Sequence, residues 1–569
     1  MKKRLLIMLS LIMVFALIIF SSCGDTEETT AQETSQAETT PTGNESTPAT
    51  GSAPATESTP VTESTPVEST ESTPAESTET TPVESTESTP AESTVDTQTT
   101  QESTTDEQTE EVSTRPEPKF SSRNTENKKW DGQTLNVLTT RYSRADNEPY
   151  TQVELRPQLW GETMVKNVAD RAAKVKELYG VTLVYVEAIG DQSMINDLNS
   201  AITSESTSYE VAYPRGFELF SLARGLVYDM NNREYIDFNN TYYSEDAYRI
   251  FTLAGHTLFA DGDFNFMNEE VSYFLLYNRD MLNNELGIDS LYETVKDGTW
   301  TYDKLVSMAR NVYKDNGNGE ADDLDTYGFG TKNFQRLYRH FGIYQINVSE
   351  DSGLYEITEN DNPSRIDTIV EKIIELNFNA NWARGSWGGT WGSALEEGFA
   401  AGRILFYTDV SAKINTDMSN VEFSMGVLPF PKLNAEQERY YTAVPGQALE
   451  IFLCVPKCTK DREMSDYFVD VLSWTGQDYL TTAYYEHKLS GFNMETADED
   501  LEILQNYIWN NIMYDVGSQC YGWQTLFGNV EDAAVRDGVN NFTQAFQDRV
   551  EDVVDIVEAI NACWESYED

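Results

Sequence analysis

The sequence predicts an α/β protein built on parallel strands with helices on both faces. Strand-like and helix-like apolar patterns alternate from Thr134 onward. Ile404, Leu405, Phe406 and Tyr407 form a continuous apolar run, which suits a strand buried on both faces. The repeat-free part, residues 128–569, is about 440 residues long, more than one small core needs, so two domains are expected.

The chain opens with Lys2, Lys3 and Arg4, an apolar run from Leu5 to Phe20, and then Ser21, Ser22 and Cys23. That order is a charged region, an apolar region and a small-residue cleavage site, hence a signal peptide over residues 1–22. A cysteine directly after the small residues resembles the lipobox of bacterial lipoproteins, which implies lipidation at Cys23 and a cell-membrane, lipid-anchored position on the extracellular face. From 23 to 127 the sequence repeats ESTP, VEST and TEST units and has almost no large apolar residues. Such a segment buries too little surface to offset chain entropy and is expected to be a disordered tether, extended by its prolines and like charges. Its Ser/Thr-Pro content permits O-glycosylation.

The formal net charge is −55, which argues against nucleic acid as a partner, because phosphate binding depends on Lys and Arg. Cys454, Cys458, Cys520 and Cys563 allow three pairings and no zinc spacing, and Cys454, inside the apolar run 449–455, reads as a buried thiol. The chain's three histidines, His256, His340 and His487, are far apart, so no catalytic constellation or histidine metal site is expected.

In the folded part Leu135, Val137 and Leu138 mark a first strand over 134–139. Val165, Val168, Ala172, Val175 and Leu178 share a helical face ended by Gly180. A strand over 181–186, a helix carrying Met194, Leu198 and Ile202, a strand over 209–213 and a helix over 217–226 follow. Ligands of parallel sheets bind beyond the carboxyl ends of the strands, so 140–144 and 213–217 are candidate loops. Thr301 is a plausible N-cap for a helix buried through Leu305, Met308, Ala309 and Val312, and Ser364 begins another with Ile366, Ile369, Val370 and Ile373. Between 382 and 409, Ser393 and Glu396 form a capping box, Gly402 can supply a left-handed stop, and the strand through Tyr407 ends near Asp409. Trp387 and Trp391 are either core or rim residues beside a bend, or they line a ligand cleft together with Tyr407.

Five segments in order, FLLYNRDML (274–282), GTWTYDKLVSMARNV (298–312), YGFG (327–330), EEGFAAGRILFY (396–407) and GVLPFPK (426–432), resemble the extracellular solute-binding proteins of ABC importers, the carbohydrate-type family that includes maltodextrin-binding protein. The resemblance implies a type II periplasmic-binding-protein-like fold, two lobes of helix-flanked sheet joined by a multi-strand hinge. Lobe 1 would comprise about 128–270 and 430–486, and lobe 2 about 271–429 and 487–569. A sugar would sit between them, against Arg141, Tyr142, Tyr213, Arg215, Asn268, Glu270, Asn333, Phe334, Tyr407, Asp409 and, from the C-terminal segment, Trp523, with Trp387 and Trp391 at the cleft mouth. The segment KDNGNGEADDLD resembles the calcium loops of the family, with Asn316, Asn318, Asp322 and Asp325 as oxygen ligands, Gly319 at the turn and Lys314 where an Asp is normal.

The expectation is a monomeric, non-enzymatic binder that captures a sugar or oligosaccharide for an importer permease, using aromatic platforms for the C–H face of the sugar and planar polar groups for its hydroxyl rim. A surface glycoside hydrolase is the rival of another class, although Glu396 and Glu397, adjacent on one helix, cannot straddle a bond. A glycan-binding adhesin or sensor lipoprotein without a permease is the third reading.

Overall fold

A computed structural model describes residues 115–569 except 142–151, 190–192, 206–207, 332–336, 345, 358–362, 386–392, 417, 419–420, 446–448, 491–495, 520–529, 531–538, 549 and 569. The first sheet forms as the alternating pattern requires: β1 (Thr134–Arg141), α1 (Gly161–Tyr179), β2 (Thr182–Ile189), α2 (Ser193–Ser204) and β3 (Val211–Tyr213). Its order is β2-β1-β3, all parallel, with Leu138 opposite both Val186 and Ala212. Successive connections run in opposite directions across the sheet, so right-handed crossovers put α1 and α2 on opposite faces. Gly180 ends α1 at φ +77°, and a side chain there would collide with Asp131.

β3 is shorter than the apolar run suggested, and the expected helix over 217–226 shrinks to a 3-10 turn, Gly216–Glu218, and one α-turn, Leu219–Leu222. Glu218 accepts from the Arg215 N–H (3.0 Å) and the Thr140 hydroxyl (2.8 Å), and Gly225 at φ +100° turns the chain into the next strand. The residues around 451–454 return along the free edge of β3. Cys454 exchanges both backbone hydrogen bonds with Ala212 at 2.9 Å, and Leu453 does the same with Ala260 at 2.7 and 2.9 Å. Cys454 is a fully buried free thiol, pushed well above the usual thiol range by burial.

The second sheet comprises β4 (Tyr273–Asn278), β5 (Tyr327–Thr331), β6 (Ala383–Gly385), β7 (Ile404–Val410) and β8 (Met425–Leu428), in the order β6-β5-β7-β4-β8. Unlike the first sheet, it is mixed. β5, β6 and β7 are parallel, but β4 enters from the first sheet between β7 and β8 and runs antiparallel to both. Every residue of β7 is buried, as expected of a strand covered on both faces. Gly402 at φ +72° ends α6 (Ser393–Ala400) just before it, with the Gly402 and Arg403 N–H groups donating to Phe399 and Gly398. Glu396, the other half of the expected capping box, accepts from Lys413 (3.2 Å), while the Ser393 side chain lies outside the described ones. Thr301 holds the N-cap position of α4 (Tyr302–Val312) but makes no side-chain cap; its first N–H, from Tyr302, donates instead to the Lys432 carbonyl at 2.8 Å. α5 (Pro363–Ile374) starts one residue before Ser364, with proline at its first position, where the missing N–H costs nothing.

Three segments make contacts other than those the expected bounds imply. The packed chain begins ahead of residue 128. The Arg115 guanidinium donates to the Asn240 and Tyr243 carbonyls (3.1 and 2.8 Å), Phe120 packs edge-on against Tyr235 and Tyr467, and Ser122 donates its N–H and hydroxyl to the buried Asp470 carboxylate at 2.8 and 2.6 Å. One phenylalanine and a few directional bonds do this, which composition alone cannot register. The C-terminal helix α9 (Val550–Glu565), expected with the second lobe, packs Trp564 against Phe220 and Phe259. Just beyond it the Tyr567 hydroxyl donates to the Val227 carbonyl (3.1 Å) and accepts from the Asp229 N–H (2.8 Å), so this end of the chain belongs with the first sheet. Conversely, 429–440 stays with the second sheet: Trp300 donates to the Pro429 carbonyl (2.9 Å) and Tyr440 to the Val295 carbonyl (3.1 Å).

Candidate functional site

Three of the passages between the sheets run through described residues near one another: 261–272, which includes the single turn α3 (Met267–Glu270); 441–451 apart from 446–448; and the helical run from α7 (Arg462–Thr475) through the π-helical stretch Gly476–Thr481 into α8 (Thr482–Leu489). They meet in a junction packed with polar groups.

Asn268, a predicted ligand residue, is 1% exposed and spends its amide on the crossings. Its Nδ2 donates to Asp261 Oδ1 (2.8 Å), the Ile451 carbonyl (3.0 Å) and the Tyr514 hydroxyl (3.2 Å), and its Oδ1 accepts from the Ile451 N–H (3.0 Å). Glu270 forms an ion pair with Lys488 (2.7 Å), whose side chain is fully buried, and accepts from the Tyr484 hydroxyl (2.8 Å) and Trp160 Nε1 (3.3 Å). Lys488 also donates to the Ser411 carbonyl just past β7 (2.9 Å). One pair thus ties together the start of α1, the first crossing, the exit of β7 and α8. Burial lowers the Lys488 ammonium from its usual range, with Glu270 acting in the opposite direction.

Beside this pair lies a concentration of negative charge. Glu269 is half-buried and its carbonyl accepts from the Ser272 hydroxyl (2.7 Å); burial first, and then Asp261 and Asp263, push its carboxyl well above the usual range. Burial likewise raises Asp261 to about 7 and Asp263 to about 6, against the donors Tyr514 and Asn268 on the former and Thr481 and Gln477 on the latter. Aromatic rings flank the acids. Tyr485 stacks on Trp509 (5.1 Å, 6°), and Tyr484 stacks on Phe266 (4.3 Å, 15°), which meets Trp160 edge-on.

These raised carboxyls fix a pH dependence. The folded state holds their protons more tightly than the unfolded chain, so their contribution is fully present below the ordinary aspartate range near 4 and is lost as pH rises to about 7. The melting temperature is expected to climb as pH falls from 8 towards 5, and the climb should flatten in Asp263→Asn; a flat profile in the parent chain would contradict the assignment.

The other predicted residues fall in several places. Tyr213 and Arg215 are buried at the end of β3, the Tyr213 ring against Phe264 at 4.6 Å. Tyr407 and Asp409 lie within the second sheet at 0% and 1% exposure, the Tyr407 ring stacked on Phe399 and its hydroxyl donating to Asp409 at 3.0 Å. The structure therefore brings Asn268 and Glu270 together and seats Tyr407 and Asp409 on the strand that ends beside them. Tyr142, Asn333, Phe334, Trp387, Trp391, Trp523, Cys23 and the Arg141 side chain lie outside what is described. Sequence reasoning missed Lys488, Tyr484, Asp261, Asp263 and Glu269. No local signal marked Lys488, which follows Glu486 and His487 in a helix of mixed polarity.

In the loop 314–325, Asn316 and Asn318 donate side-chain N–H groups to Asp322 (2.9 and 2.6 Å), Asp325 accepts from the Asn316 N–H (2.9 Å), and Lys314 pairs with Glu285 (2.6 Å). The loop supplies its own donors to the oxygens that a calcium ion would need. Among the described residues no group of three or more His, Cys, Asp or Glu is placed to hold a metal ion.

The chain is thus an α/β protein of two helix-flanked sheets joined by a polar, multi-crossing junction. No protein-family model and no curated protein matches it. Among solved structures it is similar to M. tuberculosis UspC (13% identity, 76% of this chain and 100% of that one, TM-score 0.47). It is also similar to a family 1 extracellular solute-binding protein from Bifidobacterium longum subsp. infantis (14%, 77% and 100%, 0.47) and to a cyclo/maltodextrin-binding protein complexed with maltotetraose (12%, 78% and 100%, 0.47).

Proposed function

We propose that this chain is a membrane-tethered extracellular solute-binding protein that captures a sugar or oligosaccharide between its two sheet-centred halves and delivers it to an ABC importer permease. The observation that carries the reading is the architecture itself, two separate sheets joined by several chain crossings, of which three meet at one junction among the described residues. Such a joint lets the halves move as units about a few residues, and a ligand touching both halves favours the closed arrangement. The ordered solute-binding motifs, the lipobox-like Cys23 and the repeat tether support the same reading, in which the protein binds without turnover and acts as a monomer.

A thermal-shift screen of the full-length protein against mono- and oligosaccharides, with reducing ends assayed in parallel, tests the proposal. A stabilising sugar with no increase in reducing ends is expected, because a ligand that prefers the native state raises its melting point. Release of reducing ends would identify a glycoside hydrolase, and no shift from any sugar would overturn carbohydrate capture.

A further inference from the structure

The segment joining the repeat tether to the first sheet makes a specific connection to the junction. Arg123 Nη2 donates to Gln477 Oε1 (3.1 Å) and the Trp474 carbonyl (3.4 Å) and pairs with Asp478, while its guanidinium lies over the Trp474 ring at 5.6 Å. The other end of the same glutamine donates onward, Nε2 to Asp263 Oδ2 at 2.8 Å, and Thr481 Oγ1 completes the clamp on Asp263 Oδ1 at 2.8 Å. Gln477 and Thr481 belong to the π-helical stretch that leads into α8, and Asp263 opens the crossing that carries Asn268, Glu269 and Glu270. Gly476 lets the two backbones meet, since a Cβ there would come within 1.8 Å of the Asp263 carbonyl oxygen. Isolated π-turns interrupt the regular helical ladder and recur where helices must adjust at functional sites.

We propose that residues 115–129 act as a strap that positions the junction, with Arg123 and Gln477 as positioning residues that hold the π-helical turn against Asp263. Both lie outside the Glu270–Lys488 pair and act through Asp263. The strap thereby couples the point where the tether joins the fold to two of the three crossings, which gives the anchored chain a means of biasing hinge mobility. The inference stands whatever ligand the protein takes.

Amide hydrogen exchange on the full-length protein tests it, comparing Arg123→Ala, Gln477→Leu and the double variant with the parent. Losing one hydrogen bond of ordinary strength corresponds to about a fivefold change in a local opening equilibrium. Each single variant is therefore expected to speed exchange about fivefold across 476–489 and 262–273 while leaving β1 and β2 unchanged. The double variant should do no more than the larger single, because the two residues act in series. Acceleration confined to 115–129 in Arg123→Ala, or effects that multiply in the double variant, would overturn the relay. Arg123 is partly exposed, so its variant carries the test alone should Gln477→Leu fail to fold.

Discussion

Replacing Lys488 with methionine is expected to cost about 3–5 kcal/mol of stability, the usual penalty for leaving a buried charge without its partner. Glu270 would retain the Tyr484 and Trp160 donors but lose the only cation within ion-pair distance among the described residues, in a site where its side chain is 4% exposed. The methionine fills a similar volume, so the loss reports electrostatics more than packing. Chemical denaturation of Lys488→Met, Glu270→Gln and the double variant measures it. The double variant should recover much of the loss, since removing both members of a buried pair is far milder than removing one. Equal losses in the single and double variants would show that the pair does not hold the junction.

Arg171→Met should be comparably severe, again about 3–5 kcal/mol. Arg171 is 1% exposed and reaches from α1 to the end of α7, donating Nε to Thr475 Oγ1 (3.1 Å) and Nη2 to the Leu472 carbonyl (2.7 Å) while pairing with the buried Glu154. Its loss would strand Glu154 and unpin α1 from the helix that continues into the third crossing. Denaturation curves check the size, and a change below about 1 kcal/mol would place the pair among weak ones. Lys166→Ala on the same helix serves as the control; its pair with Asp170 is exposed, and such pairs contribute little.

What the sequence revealed follows from the range of each interaction. The first sheet was legible because β1, α1, β2 and α2 are local patterns: Leu135 and Val137 line one face of β1 and Leu138 the other, and Gly180 supplies a left-handed stop that suits glycine best. β7 was legible for a similar reason, since Ile404 to Tyr407 is apolar without alternation. The antiparallel placement of β4 was not, because its local sequence, FLLYN, is what a buried parallel strand also looks like, and direction is decided by where the chain comes from. The strap escaped notice because Arg115, Phe120, Ser122 and Arg123 bind through specific partners far along the chain. The junction divides in the same way. Asn268 and Glu270 could be singled out by the motifs that follow them, whereas Lys488 acquires its meaning only when folding brings it against Glu270. Tyr407 and Asp409 were placed on the right strand but at its exit, whereas the strand runs on to Val410 and buries both, with the Tyr407 ring stacked on Phe399 of α6.

The most direct test of the central claim is a distance measured between the two sheet-centred halves during ligand titration. Fluorophores placed at the exposed positions Val184, on β2, and Leu324, just before β5, report it by energy transfer. Saturation with a sugar that stabilises the protein is predicted to change the transfer efficiency in a single saturable step at one sugar per chain, as the halves close about the junction. Saturating sugar binding with unchanged transfer efficiency would contradict capture by closure.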